Sequence, residues 1–232
     1  MAEVPTAALK AISRELDAMG VSYVFTGGSI VALLLDKPEA TVMRPTDDVD
    51  IILEILTHKD YSKFEAQLRE LGFDHDVRDG APKCRWIYRN LTVDTMPVEG
   101  AFLGLNTKWF DHALSNPTNL SVDGQMLSII SASSFIATKL AAFSDRGEND
   151  FFGSHDLEDI LTVMDGRETI VEEIENAPAD LRIYIIDTLR KFLANSQFQE
   201  ALPGHLPPDP GSQARLPILK EKINRLADLN TE

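Results

Sequence analysis

One cysteine, Cys84, is all that the 232 residues contain. No disulfide can close within the chain, and no cysteine cage can hold a metal. A reducing compartment is the simple expectation. Long apolar runs are missing too, and nothing approaches the roughly 18 residues of a membrane span. The first twenty residues carry Glu3, Lys10, Arg14, Glu15 and Asp17, where a secretory signal needs an uninterrupted apolar stretch. The chain is therefore expected to be cytoplasmic, with no membrane partner. Positive charge is scarce. The 22 Lys and Arg against 37 Asp and Glu leave a formal net charge of −15. Phosphates repel such a protein, which speaks against a coat or chromatin-like role but leaves room for one basic patch on an RNA end. His58, His75, His112, His155 and His205 show no metal-ligand spacing, and no internal repeat stands out.

What is present is the composition of an ordinary globular protein, 44% hydrophobic and 25% charged. Leu9, Ile12, Leu16 and Met19 fall at helical spacing, with Gly20 as the stop. Val21–Phe25 reads as a strand, Thr26-Gly27-Gly28-Ser29 as a turn, and Ile30–Leu35 as an apolar helix. A polar loop over 36–46 holds Pro38 and Pro45, and Val49–Ile55 reads as a strand. Tyr61, Phe64, Leu68 and Leu71 mark a helix closed by Gly72. Cys84–Arg89 and Leu91–Met96 alternate as strands, with Asn90 as a tight connection. Residues 97–125 are mixed, with a short helix near Trp109–Leu114. Met126–Ile130 is a last strand. From Ser131 onward the pattern is helical: Phe135–Phe143, Asp156–Met164, Ile170–Ile174, Leu181–Leu193 and Ile218–Leu229. The five prolines and two glycines of residues 203–217 predict an extended loop. The layout is an α/β (α+β) core with a mixed sheet flanked by helices over 1–130, then a helical region over 131–232.

Asp48 and Asp50 lie two apart on a strand, so both point to one face. Two such acids repel unless something positive sits between them. Mg²⁺, a hard cation, prefers carboxylate oxygens and substrate phosphates. Two solvated surface acids would read the same way. Asp94 shifts the balance, because aspartate is disfavoured in strands and this one interrupts an apolar, β-branched run. Three carboxylates on adjacent strands can hold two Mg²⁺ ions. Gly27-Gly28-Ser29 supplies a third part, since glycines let a backbone approach phosphate and a helix N-terminus offers free N–H groups. Alone it is also an ordinary turn. Lys83, Arg85 and Arg89 alternate on one strand face. They read as a solvated face or as a basic strip for phosphate.

Gly27-Gly28-Ser29 followed by Arg44-Pro45-Thr46-Asp47-Asp48-Val49-Asp50-Ile51 resembles the signature of the polymerase-β-type nucleotidyltransferases. Its Arg-x-Thr-x-Asp-hydrophobic-Asp form is similar to the AbiEii branch, which includes the MenT-like toxins of toxin–antitoxin systems. Lys139, Ala141, Arg146-Gly147 and then Asp156-Leu157-Glu158-Asp159 resemble a second pattern of that branch. His155 stands where the family often has Arg.

The resemblance implies a polymerase-β-type fold. It also implies an enzyme that moves an NMP from an NTP such as ATP to a hydroxyl acceptor, with Mg²⁺ as cofactor. Asp48, Asp50 and Asp94 would be the metal-binding acids. Gly27, Gly28, Ser29, Arg44, Thr46 and Lys139 would bind nucleotide, and Lys139 and Asp156 would join Asp48, Asp50 and Asp94 in the catalytic set. A tRNA 3′ end as acceptor and a cognate antitoxin as partner follow from the same branch. A small-molecule acceptor, as in aminoglycoside nucleotidyltransferases, stays open because of the acidic charge. So does a catalytically silent nucleotide- or partner-binding module.

Overall fold

Among the described residues seven strands form one mixed sheet, ordered β3-β4-β5-β2-β1-β7-β6. They are β1 Tyr23–Thr26, β2 Asp48–Leu53, β3 Asp74–His75, β4 Arg85–Tyr88, β5 Leu91–Pro97, β6 Thr118–Val122 and β7 Gln125–Ile129. The structure, a computed structural model, describes residues 6–41, 44, 46, 48–146 and 150–230. Pro45, Asp47, Gly147 and the side chain of Arg146 lie outside the described residues. The chain divides into two units. One comprises the described residues up to Ile30 together with Arg44–Ser131. The other comprises the segment that begins at Val31 and the residues from Ala132 on. The segment after Val31 therefore belongs with the helical part, although it lies early in the chain.

The sheet belongs to the first unit. Strand β2 is near its centre, antiparallel to β1 and parallel to β5. Its alternation comes directly from its residues: Val49 and Ile51 are fully buried, and Asp48 and Asp50 are half-buried on the other face. Helix Thr6–Met19 buries Leu9, Ile12 and Leu16, and Gly20 ends it with φ +67°. Helix His58–Glu70 buries Tyr61, Phe64 and Leu68, and its Thr57 cap accepts a bond from the Asp60 amide at 3.1 Å.

Two hairpins depart from the sequence expectations. The β4–β5 connection has two residues, Arg89 and Asn90, both with positive φ, as a tight primed turn requires. Arg89 is thus in the turn, with its guanidinium over the Tyr88 ring, and Lys83 precedes the strand. The basic strip of Lys83, Arg85 and Arg89 does not form on one strand. Strand β6 pairs with β7 through Asp123-Gly124, again both at positive φ. Its half-exposed pattern is that of an edge strand, which is why residues 97–125 read as mixed.

In the second unit, helices Ala132–Arg146, His155–Gly166, Ile170–Glu175, Ala179–Leu193, Ser196–Ala201 and Leu216–Asp228 surround a core in which the rings of Phe151 and Phe192 contact each other and both Phe143 and Phe198. Ser154 caps the second of these helices by accepting from the Leu157 amide at 3.4 Å. The expected apolar helix over 30–35 is only Val31–Leu34, preceded by a 3-10 turn at Gly28–Ile30. Residues 203–217 are not an extended loop. They hold a 3-10 turn Leu202–His205 and a helical turn Pro210–Gln213. Proline is tolerated there because it sits in the first turn, where its missing N–H would have no partner. Gln213 Nε2 ties the segment together by donating to the carbonyls of Pro203, Leu206 and Pro207 at 3.0–3.2 Å.

Candidate metal centre on the sheet

Register brings the acids together. Asp50 is opposite Asp94 across the β2–β5 pair, and Asp48 is opposite Thr92. Thr26 is opposite Asp50 on the other side, and Arg85 is opposite Asp94 on β4. Residues directly opposite across a pair share a face, so Thr26, Asp50, Asp94 and Arg85 form one row. Asp48 stands next to it, two residues along β2. Each of Asp48, Asp50 and Asp94 offers a carboxylate oxygen lying within 4.8 Å of the other two.

Each acid is held by a different device. Thr46 Oγ1 donates to Asp48 Oδ1 at 2.6 Å, so Thr46 orients the acid directly. Asp50 needs the absence of a side chain at Gly27. A Cβ there would run into Asp50 Oδ2 and lie 2.6 Å from its Cγ. Gly27 also has φ +75°, a conformation that favours glycine. Asp94 is gripped on both oxygens by Arg85, with Nε to Oδ1 at 2.8 Å and Nη2 to Oδ2 at 2.7 Å. The same Nη2 lies 3.8 Å from Asp48 Oδ2. The hydrogen bonds to Asp94 push the Arg85 guanidinium further above its already high ordinary pKa.

Beneath Asp94 the strand is anchored from the opposite face. Thr95 is fully buried and accepts from Trp86 Nε1 at 3.1 Å, while Tyr61 donates to its carbonyl at 3.1 Å. Cys84 is buried there, and burial pushes its thiol up to about 12. It is a core residue and no nucleophile at neutral pH.

The glycine turn is less open than its composition suggests. Ser29 is buried, and its hydroxyl turns back to the Thr26 carbonyl at 3.5 Å. A Cβ on Gly28 would lie 3.0 Å from Arg44 Nη2 and 3.3 Å from Thr46 Oγ1. Gly28, Arg44 and Thr46 are thus grouped beside Asp48.

Lys139, Asp156 and Asp159 are brought together within the helical unit. Lys139 Nζ lies 3.0 Å from Asp156 Oδ1 and 2.8 Å from Asp159 Oδ2, with all three side chains largely buried. Asp159 is a partner that the sequence pattern names only as the second Asp of Asp-x-x-Asp. Helical spacing from Asp156 puts it on the same side.

No family model matches the chain, and no curated protein does either. Among solved structures it is similar to an antigenic nucleotidyltransferase-like protein from Paracoccidioides brasiliensis. The TM-score is 0.54 at 18% identity, covering 84% of this chain and 91% of that one. The fold is that of a nucleotidyltransferase-like protein. The antibiotic-resistance factor ANT(2'')-Ia also aligns, with a TM-score of 0.45 and 13% identity over 82% of this chain and 95% of that one. Among the described residues no helix is long and apolar enough to cross a membrane.

The donor set tests the fit of a metal. Three carboxylates offer only hard oxygen ligands, which suits Mg²⁺ and disfavours soft ions. The three carboxylates lie close enough together to hold a cation between them, and Arg85 supplies positive charge beside Asp94 and Asp48.

Proposed function

We propose that the protein is a Mg²⁺-dependent nucleotidyltransferase that moves an NMP from an NTP to a hydroxyl acceptor and releases pyrophosphate. The observation that supports it is the Asp48, Asp50 and Asp94 cluster on one face of β2 and β5, within a nucleotidyltransferase-like fold. Asp48, Asp50 and Asp94 would hold two Mg²⁺ ions, whose charge activates the attacking hydroxyl and stabilises the leaving pyrophosphate.

The chain's own residues do the positioning. Thr46 fixes Asp48, and Gly27 leaves room for Asp50. As the acceptor oxygen attacks the α-phosphorus, its proton passes to an oxygen of Asp94 and the bond to the β-phosphate oxygen breaks. Gly28, Ser29, Arg44 and Thr46 belong to the nucleotide-binding set. For Lys139 the role of phosphate contact, and for Asp156 that of active-site acid, follow from the family resemblance. Rate enhancement in such a site comes mainly from positioning and electrostatics.

The acceptor is an RNA end such as the tRNA 3′ terminus, on the strength of the AbiEii-like patterns, with a cognate antitoxin as regulator. A small hydroxyl compound is the second reading, favoured by the net charge of −15, which opposes docking of a large polyanion. The experiment supplies Mg²⁺ and each labelled NTP to the full chain, with total tRNA in one arm and aminoglycosides in another. An Asp48→Ala control accompanies both arms. Label on tRNA that vanishes in the control supports the RNA enzyme. Label only on the small acceptor supports the second reading. No transfer in either arm, with no NTP heat in calorimetry, sinks the enzyme and leaves only a partner-binding module.

A further inference from the structure

We infer that Arg85 is the built-in counter-ion of the carboxylate cluster and that it competes with the divalent metal for Asp94 and Asp48. This rests on the metal-binding role proposed above. The guanidinium takes both oxygens of Asp94 at 2.7–2.8 Å and reaches to 3.8 Å from Asp48. Its side chain is 24% exposed and that of Asp94 only 10%, so water screens the pair weakly. Arginine cannot shed its proton at any working pH. Its charge must therefore move away or be endured when a second cation enters.

Two effects of Arg85 on metal binding oppose one another. The fork orients Asp94, and losing the hydrogen-bond partner of a metal-binding carboxylate typically weakens binding about 10–100-fold. Against that, a unit positive charge touching the same oxygens repels a divalent ion. At separations of a few ångströms in a partly buried site, that repulsion is the larger effect. Asp94 can still serve a metal, because a carboxylate has about four lone-pair sites and the fork takes two. Asp48 keeps lone pairs for a metal in the same way, and the approach of Nη2 to it at 3.8 Å is a charge contact with no hydrogen bond to hold it, so it is the part that yields. Arg85 thus keeps the acid cluster neutralised in part when no metal is bound, and raises the metal concentration at which the site loads.

The test titrates Mn²⁺ into the full chain by calorimetry, comparing wild type with Arg85→Gln and Arg85→Lys. Arg85→Gln is expected to bind at least tenfold more tightly than wild type. Arg85→Lys keeps the charge and is expected to stay within about threefold of wild type. If Arg85→Gln binds equally or more weakly, Arg85 only orients Asp94 and this inference alone falls. It falls equally if Arg85→Lys tightens as much as Arg85→Gln, since charge is then not the cause. Absence of binding in both wild type and a folded Arg85→Gln overturns the metal-binding role and the inference with it. A second measurement needs no variant. The Arg85 Nε–H resonance of the wild type is followed as Mg²⁺ is added. Competition shifts it, whereas a resonance that stays still while metal binds overturns the inference.

Discussion

Replacing Gly27 by alanine asks how much of the site depends on one missing side chain. Two costs add. At φ +75° an L-residue with a Cβ is strained by roughly 1–2 kcal/mol. The new methyl group also strikes the Asp50 carboxylate, lying 2.6 Å from Cγ and 2.8 Å from Cβ in addition to the closer clash with Oδ2. Forcing a methyl group into occupied space costs about 1–3 kcal/mol. The expected loss is therefore roughly 2–5 kcal/mol. Gly20→Ala is the reference, because Gly20 has φ +67° and an added Cβ would meet nothing within 4 Å. Both substitutions remove similar backbone freedom from the unfolded chain, so their difference isolates the Asp50 collision. Urea unfolding of both variants measures it. A double-mutant cycle with Asp50→Gly sharpens the result, since that change removes every side-chain atom the methyl group strikes. A coupling of about 1–3 kcal/mol is expected between the two positions. If Gly27→Ala costs no more than Gly20→Ala, or the cycle shows no coupling, the close approach of Gly27 to Asp50 is wrong.

Two further perturbations test other parts of the molecule. Lys139→Met should destabilise the helical unit by about 3–5 kcal/mol, because it removes the cation that both Asp156 and Asp159 contact in a largely buried place. Adding Asp156→Asn and Asp159→Asn should recover part of the loss in chemical denaturation; a loss below about 1 kcal/mol, the scale of an exposed pair, contradicts a buried one. Hydrogen bonds from the Arg78 side chain hold the Asp76 carboxyl down at about 2, below its ordinary 3.8. A depressed carboxylate stabilises the folded state above its unfolded pKa and loses that contribution as pH falls through the folded value. The contribution of Asp76 is thus present above about pH 4 and disappears towards pH 2. Arg78→Ala should return the Asp76 titration towards 3.8, followed by carboxyl ¹³C resonances, and an unmoved midpoint contradicts the assignment.

The hairpins show where sequence evidence was present but ambiguous. A single-residue connection at Asn90 would have put Trp86 opposite Asp94. The two-residue turn at Arg89-Asn90 puts Arg85 there. One residue of slip moves every side chain to the other face, and so Arg85 reads as part of a basic strip or as the partner of an acid. Asp123-Gly124 is a strong turn signal. The strand before it, Thr118–Val122, alternates without a buried face, which hides it from any search for apolar periodicity.

Features that depend on near neighbours along the chain are legible in the residues alone. A strand at residues 48–53 must put Asp48 and Asp50 on one side, because successive side chains alternate. Asp156 and Asp159 must share a helix side for the equivalent reason. The glycine turn and the amphipathic helices are likewise local. That β5 lies parallel beside β2 with Asp94 opposite Asp50 depends on contacts far apart in the chain. So do the closing of Arg85 on Asp94, the room that Gly27 makes for Asp50, and the membership of the segment from Val31 in the helical unit. A repeat of two or 3.6 residues records which way a side chain faces. It carries no record of which distant strand lies alongside, since that choice depends on the packing of the whole sheet and its helices at once.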